Sequence, residues 1–425
     1  MKRRTLLKAL AGGTLLSAPL LGRSNTPKAM GKRGSLKKLV VVFQRGGNDG
    51  LNTLIPVNPS EYNLYQNLRP DVHIPNADIL SIPGNSFFGL HPALSELIPI
   101  YQAGSLGLIH AVGYPNPDRS HFESQAYMET AVPGNSLMGG WLNRYLSETS
   151  GPGLIRGLSV GYNIPQSVTG SLAVPVSANF GTSDISVDYT LNSSEELAYE
   201  QKIRDLFAMA PSPGNMEVYG TGGKIFQMID SFSDRNLNNY VPENGANYPS
   251  SSFGSRVKHA AQMLKDDSSF LGVEVITIDQ GGFDTHANQL NPANPTATDG
   301  THYGLLRDLS RSMRAFFGDM GTRMNDVIFL VVSEFGRRAY QNLSNGTDHG
   351  TGGVALVMGH SVNGQVFNGG SNWPGLDNLY QGDLNWATDF RDIYWEILSR
   401  HIGVDNATLN TIIPGHTYSP VGFLS

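Results

Sequence analysis

Five short runs limit what this chain can fold into more than any other feature: residues 39–43 (LVVVF), 106–112 (LGLIHAV), 273–278 (VEVITI), 327–332 (VIFLVV) and 354–358 (VALVM). A strand with one wet face alternates apolar and polar residues. Runs that are apolar almost throughout have both faces covered, the habit of central strands in a parallel sheet. Between the third and fourth runs, residues 303–320 place Leu305, Leu309, Met313, Phe316 and Met320 on one helical face. Further helical patterns fall at 92–101, 120–131, 194–209, 221–232 and 255–266. This alternation predicts one α/β domain over 39–425, a mostly parallel sheet sandwiched between helices. Residues 153–190, rich in Gly, Pro and Ser with alternating polarity, predict a small β-rich antiparallel insertion, and 153–250 as a whole an insertion or cap.

The first segment is of another kind. Lys2-Arg3-Arg4 and Lys8 precede an apolar stretch, 9–21, that falls short of the ~20 residues a spanning helix needs. Residues 1–22 are therefore expected to be a bacterial twin-arginine export signal, and 23–38 a basic linker. The twin-arginine translocase is the expected partner during export. The mature chain is expected in the periplasm or outside the cell, with no stable membrane span. Residues 1–38 hold ten Lys/Arg and no Asp/Glu, which leaves 20 Lys+Arg against 36 Asp+Glu in the rest, a net charge of -16. Such an acidic body argues against nucleic acid as a partner and suits a cation-binding protein. The absence of cysteine excludes disulfides, thiolate metal sites, iron–sulfur clusters and cysteine nucleophiles.

In α/β sheets ligands sit outside the carboxyl ends of the strands. The first run is followed by Asn48 and Asp49. The second is followed by Asp118, Arg119, Ser120 and His121, the third by Asp279, Asp284 and His286, and the fourth by Glu334 and Arg337. Asp348 and His349 precede the fifth. Carboxylates brought together repel unless cations or protons neutralise them, so a convergent group of this kind predicts a metal site. Asp284 and His286, two apart, point the same way in an extended loop. Residues 46–50 are not a phosphate-binding loop, because no Gly-Lys-Ser/Thr follows. His91, His110, His259, His360 and His401 lack comparable company and read as structural or surface residues.

The ordered motifs Gly-Gly-Asn-Asp-Gly-Leu-Asn (46–52), Ser-His-Phe (120–122), Phe-Asp-Thr-His (283–286), Ser-Glu-Phe-Gly-Arg (333–337) and Asp-His-Gly (348–350) resemble exported proteins of the domain-of-unknown-function-1501 family. The resemblance runs from about Leu39 to the C-terminus. That family is similar in turn to the alkaline phosphatase/sulfatase superfamily. The similarity implies an alkaline-phosphatase-like fold with a two-metal site, to which Asp49, Asp279, Asp284, His286, Glu334 and His349 are matched; Asp348 joins them as a candidate ligand from its place before the fifth run. It also implies a nucleophile at a helix start, for which Ser120 fits and Ser124 is the fallback. The pattern departs from the superfamily in two places. The histidine expected four residues after Asp284 stands two after it, and Phe335 occupies the place of a histidine. Fewer imidazoles and more carboxylates tilt the ion from Zn²⁺ toward Mg²⁺, Mn²⁺ or Ca²⁺, with one or two ions bound.

The resulting expectation is an exported metal-dependent hydrolase of phosphate or sulfate esters. Ser120 is its nucleophile, His121 assists proton transfer, and Asn48, Arg119 and Arg337 hold the anionic group. The alternative is a non-catalytic binding or assembly protein that keeps the fold and acts on envelope polymers or a secretion partner. On the hydrolase reading, alanine at Asp284 or His349 should abolish turnover while circular dichroism and the thermal midpoint show a folded chain. Retained turnover would remove both residues from the site.

Overall fold

The structure, a computed structural model, describes residues 36–179, 192–209, 216–234, 239–265, 271–291 and 297–424. The export signal assigned to 1–22 and most of the linker assigned to 23–38 lie outside the described residues, as do 180–191 of the insertion. The strands are β1 (Lys38–Gln44), β2 (Leu54–Pro56), β3 (Leu80–Ser81), β4 (Phe88–Leu90), β5 (Leu106–Gly113), β6 (Gly157–Val160), β7 (Val176–Ser177), β8 (Val275–Gln280), β9 (Val327–Ser333), β10 (Gly353–Met358), β11 (Val366–Phe367) and β12 (Thr388–Asp389). The connections hold helices α1 (Gly50–Thr53), α2 (Pro59–Leu68), α3 (Ile98–Gln102), α4 (His121–Thr130), α5 (Trp141–Glu148), α6 (Ser193–Ala208), α7 (Met216–Asp234), α8 (Ser252–Lys265), α9 (Thr301–Met320), α10 (Phe390–Glu396) and α11 (Asn406–Ile412).

The main sheet runs β11-β5-β10-β9-β1-β8-β6-β7, with β12 also paired to β5. β1 lies at its heart, parallel to β9 on one side and to β8 on the other. β10 runs antiparallel to both its neighbours, β5 and β9. The other pairings in this sheet are parallel. Successive side chains leave opposite faces of a strand, and the core divides accordingly. Val40, Val42, Ile276, Ile278, Phe329 and Val331 join α8, α9, the 3-10 turn Pro92–Leu97 and the small β2-β4-β3 sheet on one side. Leu39, Val41, Phe43, Ile328, Leu330 and Val332 join α5, α10 and α11 on the other. Two covered faces are why these strands read as unbroken apolar runs. Fully burying a Leu, Ile, Val or Phe contributes roughly 1.5–3 kcal/mol, so the two layers dominate the stability of the domain.

One local expectation needs correction. Residues 157–160 do not open an antiparallel insertion; as β6 they pair parallel with β8 from Gly157↔Val275 to Val160↔Ile278 and extend the main sheet. The alternation there is of small with large residues, Gly157 and Ser159 against Leu158 and Val160, and all four are buried. Beyond it, 193–208 is helical as the periodicity predicts, opened by a capping box between Asn192 and Glu195. Among the described residues no helix is long and apolar enough to cross a membrane.

The reversed direction of β10 matters for the site. β1, β5, β8 and β9 all end at one edge of the sheet, and β10 begins there, with Gly353 beside Val112. The loop that enters β10, which carries Asp348 and His349, therefore lies among the carboxyl ends of the other strands.

Three other histidines are buried, and burial, the largest influence on each, pushes them below their usual value. His110 falls to about 3, and His302 and His401 to about 4. Below pH ~6.5 the unfolded chain protonates these imidazoles while the folded chain does not. Unfolding then takes up protons, so stability should fall as the pH drops from about 6.5 to about 4. Each group can contribute up to about 1.4 kcal/mol per pH unit in that window. Urea midpoints at pH 7 and pH 5 check this; identical midpoints would mean these imidazoles are protonated in the folded state.

Candidate metal centre

The loops at the carboxyl edge are held by one fully buried guanidinium. Arg337 donates from Nε to the Gly47 carbonyl, from Nη1 to Thr347 O (2.8 Å), and from Nη2 to Gly46 O, Phe283 O and Asp284 Oδ1 (2.7 Å). Gly46 has φ +117°, and a Cβ there would meet the Asp284 backbone nitrogen at 2.4 Å. Gly47, at φ +77°, lies against the Phe335 ring, where a Cβ would stand 2.4 Å from a ring carbon. Only glycine allows both the left-handed turn and these close approaches.

On this frame four side chains meet. Asp284 Oδ1 lies 3.3 Å from His121 Nε2, 3.0 Å from His286 Nε2 and 3.1 Å from His349 Nε2. The last two nitrogens are 2.9 Å apart. His121, Asp284 and His349 each offer one donor atom within 4.8 Å of one another. The far nitrogen of each imidazole faces an acceptor. His121 Nδ1 faces Glu334 Oε1 (2.8 Å), His286 Nδ1 faces Asp348 Oδ1 (2.8 Å), and His349 Nδ1 faces the Arg119 carbonyl (2.7 Å). A carbonyl or carboxylate only accepts, so each Nδ1 carries the hydrogen and each Nε2 turns a lone pair inward. Three lone pairs facing a carboxylate oxygen repel unless cations or extra protons stand between them. Outer partners that fix the tautomer are what ligating histidines have. The residues present therefore fit a metal ion. Phe335, the departure from the superfamily pattern, packs its ring 5.1 Å from that of His121 and 4.9 Å from that of His349, and so backs both.

The charges agree with this reading. Burial alone would push the Asp284 carboxyl up, but Arg337 beside it, helped by His349 and His286, brings it down to about 2. Burial also opposes ionisation of Glu334, yet hydrogen bonds from His121, Gln125 and Gly46 N hold it below the usual carboxylate range. The bond to Glu334 in turn raises His121, while burial lowers His349. Asp284 and His286 keep over two-fifths of their side-chain surface exposed, so the cluster opens to solvent.

The other sequence candidates divide. Glu334 and Asp348 lie at the cluster, where they orient imidazoles. Asp49 points elsewhere. It is fully buried and paired with Arg69 (2.7 Å), which also donates to Asn52 Oδ1 and to the carbonyls of Ala339 and Arg338. Burial opposes its charge, but Arg69 and then His302 hold it below the usual range. Removing one partner of such a pair costs about 3–5 kcal/mol. Asp279 pairs with Arg45 (2.9 Å), which also grips Glu129. Asn48 is buried, taking hydrogen bonds at Oδ1 from Thr53 and His302 and donating to Gln44. Arg337 is wholly engaged and presents no free face to a substrate. Arg119 pairs with buried Asp383 (2.6 Å) and stays about one-third exposed. Ser120 is the exposed N-cap of α4 and its side chain makes no cap hydrogen bond. Ser124 is buried and bonded to Tyr114 OH and Asp118 O. Sequence reasoning gave His121 a proton-transfer role and missed it as a third inward imidazole. The signal was its place at N1 of a helix following a strand end.

Fold and site together define an α/β protein with a His/Asp cluster suited to a divalent ion. The family model described as "Protein of unknown function (DUF1501)" matches residues 232–406. The chain is similar to this family over that span; Asp284, His286, Glu334 and His349 fall within it, and His121 does not. No curated protein matches the sequence. Among solved structures, the C-terminal periplasmic domain of EcEptC from Escherichia coli is 9% identical over 91% of this chain and 89% of that one, with a TM-score of 0.37. Its zinc complex is 10% identical over the same shares, also at 0.37. The phosphonate monoester hydrolase of Agrobacterium radiobacter is 10% identical over 78% of this chain and 70% of that one, at 0.29. Likenesses this distant say nothing about the site.

His121 tests whether the cluster holds an ion or merely a proton. His121→Ala should reduce stoichiometric metal uptake by the purified chain, read by elemental analysis after dialysis, while the fold persists. Undiminished uptake would return His121 to a proton-transfer role alone.

Proposed function

We propose that this chain is an exported metal-dependent hydrolase of phosphate or sulfate esters. One observation carries the reading: three imidazole Nε2 atoms converge within 3.3 Å of a single Asp284 oxygen, each imidazole held from behind by its own acceptor. His121, Asp284, His286 and His349 would hold the ion, which when bound polarises an ester oxygen and lowers the pKa of a coordinated water or hydroxyl. Three imidazoles and one carboxylate suit Zn²⁺ or a similar transition metal better than Mg²⁺ or Ca²⁺. This reverses the tilt expected when His121 was not counted among the donors.

The remaining roles belong to the chain's own residues. Ser120 offers an exposed hydroxyl, unused by the cap, next to His121 and at the N-terminus of a ten-residue helix, where a developing negative charge is favoured. Ser124 is tied down in the interior and is not the nucleophile. Arg119, about one-third exposed and steadied by Asp383, is the cation available to the anionic group in place of Arg337. The Arg3-Arg4 segment supports export by the twin-arginine translocase to the periplasm or beyond, and the acidic body speaks against nucleic acid. The second reading, a binding protein for envelope polymers that retains one ion without turnover, draws on Asp49 and Asp279. Both are neutralised by arginines, which leaves donors for one ion where the superfamily pattern has two.

The test is a panel of aryl phosphate, phosphodiester, phosphonate and sulfate esters assayed with Zn²⁺, Mn²⁺, Mg²⁺ and Ca²⁺. Turnover should require metal and fall about 100-fold or more in Ser120→Ala, with Ser124→Ala judged separately because it disturbs packing. A metal-loaded chain that cleaves no ester favours the binding reading.

A further inference from the structure

We infer that Gln289 is a positioning residue of the metal centre, through which the buried Asp49–Arg69 pair sets the orientation of both loops that present His286, Asp284 and His349. The inference rests on the metal reading above and concerns how the chain builds that site.

Gln289 is fully buried and uses both ends of its amide. Nε2 donates to Asp49 Oδ2 at 2.5 Å. Oε1 accepts from Thr285 Oγ1 at 3.1 Å and from Thr347 Oγ1 at 2.8 Å. Thr285 stands between Asp284 and His286, and Thr347 stands two residues before His349. The same two threonines join the loops directly, through Thr347 N to Thr285 O at 3.1 Å. The Gln289 backbone is fixed as well, donating to Asn345 O at 2.9 Å. One side chain thus spans the undersides of both loops.

The direction of the chain of bonds follows from chemistry. Asp49, ionised beside Arg69, can only accept, so the amide must turn its nitrogen toward it. The amide oxygen must then face the threonines, and both hydroxyls must donate. No group in this relay has a second stable orientation, because a flipped amide would set oxygen against carboxylate and nitrogen against hydroxyls that have lost their acceptor. A charge pair that touches none of the metal-facing side chains therefore decides how the loops carrying them sit. This assigns Asp49 a task at the centre without making it a ligand.

The experiment measures Zn²⁺ affinity by competition with a chelating dye, and the Co²⁺ absorption spectrum, on the purified full chain. Gln289→Met keeps the volume and removes both ends of the relay. It should weaken Zn²⁺ binding about 10- to 100-fold, the loss typical when partners behind metal ligands are removed, and shift the Co²⁺ bands. Asp49→Asn combined with Gln289→Met should be little worse than the poorer single variant, because both break one chain. Tyr248→Phe removes a hydroxyl that bonds Asp319 at 2.8 Å in a separate cluster. It should lower the thermal midpoint yet leave affinity and spectrum unchanged, which separates positioning from general stability. If Gln289→Met does not fold, Thr347→Val carries the same expectation with a smaller loss. Affinity within about threefold of wild type, or additive losses in the double variant, overturns the inference. A wild-type chain that takes up no metal overturns the metal reading and this inference with it, whereas wild-type binding with an indifferent Gln289→Met overturns this inference alone.

Discussion

The carboxyl edge of the sheet depends on the burial of one charge. A guanidinium removed from water must have its donors satisfied, or its desolvation is not offset. Arg337 meets that condition by drawing in four backbone carbonyls, from Gly46, Gly47, Phe283 and Thr347, and one carboxylate, Asp284. Those partners belong to the loop after β1, the loop after β8 and the loop before β10. Satisfying one arginine therefore assembles three loops, and among the described residues the anion it pairs with is the one on which the imidazoles converge. The glycines at 46 and 47 are the steric counterpart, since side chains there would hold the loops apart.

A second buried arginine repeats the device one layer deeper. Arg69 neutralises Asp49 and takes two carbonyls that lie just beyond Arg337 in sequence, those of Arg338 and Ala339. The site is thus a shallow cluster of imidazoles resting on two tiers of arginine. The upper tier fixes Asp284 itself, and the lower fixes the backbone beneath. The imidazoles are oriented separately, each by its own acceptor, so ring direction and loop position are controlled by different groups. Such a division leaves Asp284 and His286 open to solvent while the two arginines beneath them are dry.

The fold was largely legible because two covered faces leave an unmistakable mark on a strand, and the five runs correspond to β1, β5, β8, β9 and β10. Strand β6 was read as part of an antiparallel insertion because it is short, alternates small with large residues, and has its partner β8 over a hundred residues away. For the site, the recurrence of acids and histidines after the strands located the correct edge. It did not separate the carboxylates that face the cluster from those that do not. Asp284 and Asp49 look alike in sequence, each in a glycine-bearing loop after a strand. Their difference lies in Arg69 and Gln289, which are distant along the chain. The same holds for Asp279 and Arg45, and for Arg337, whose candidacy as a substrate clamp ended with its complete burial.

What the sequence by itself determined is what depends on local pattern: the α/β class, the helices and strands that build it, and the edge at which polar residues gather. Hydrophobic period and turn composition are properties of neighbours in the chain, so they can be read without the fold. What only the tertiary structure decided is which charge meets which. An aspartate becomes an ion-pair partner or a metal-facing group according to whether a guanidinium arrives from elsewhere, and a histidine turns a lone pair inward only once an acceptor stands behind its other nitrogen. Those partners are brought together by strand order and by the reversed course of β10, and electrostatic pairing acts over a few ångströms of space whatever the separation in sequence.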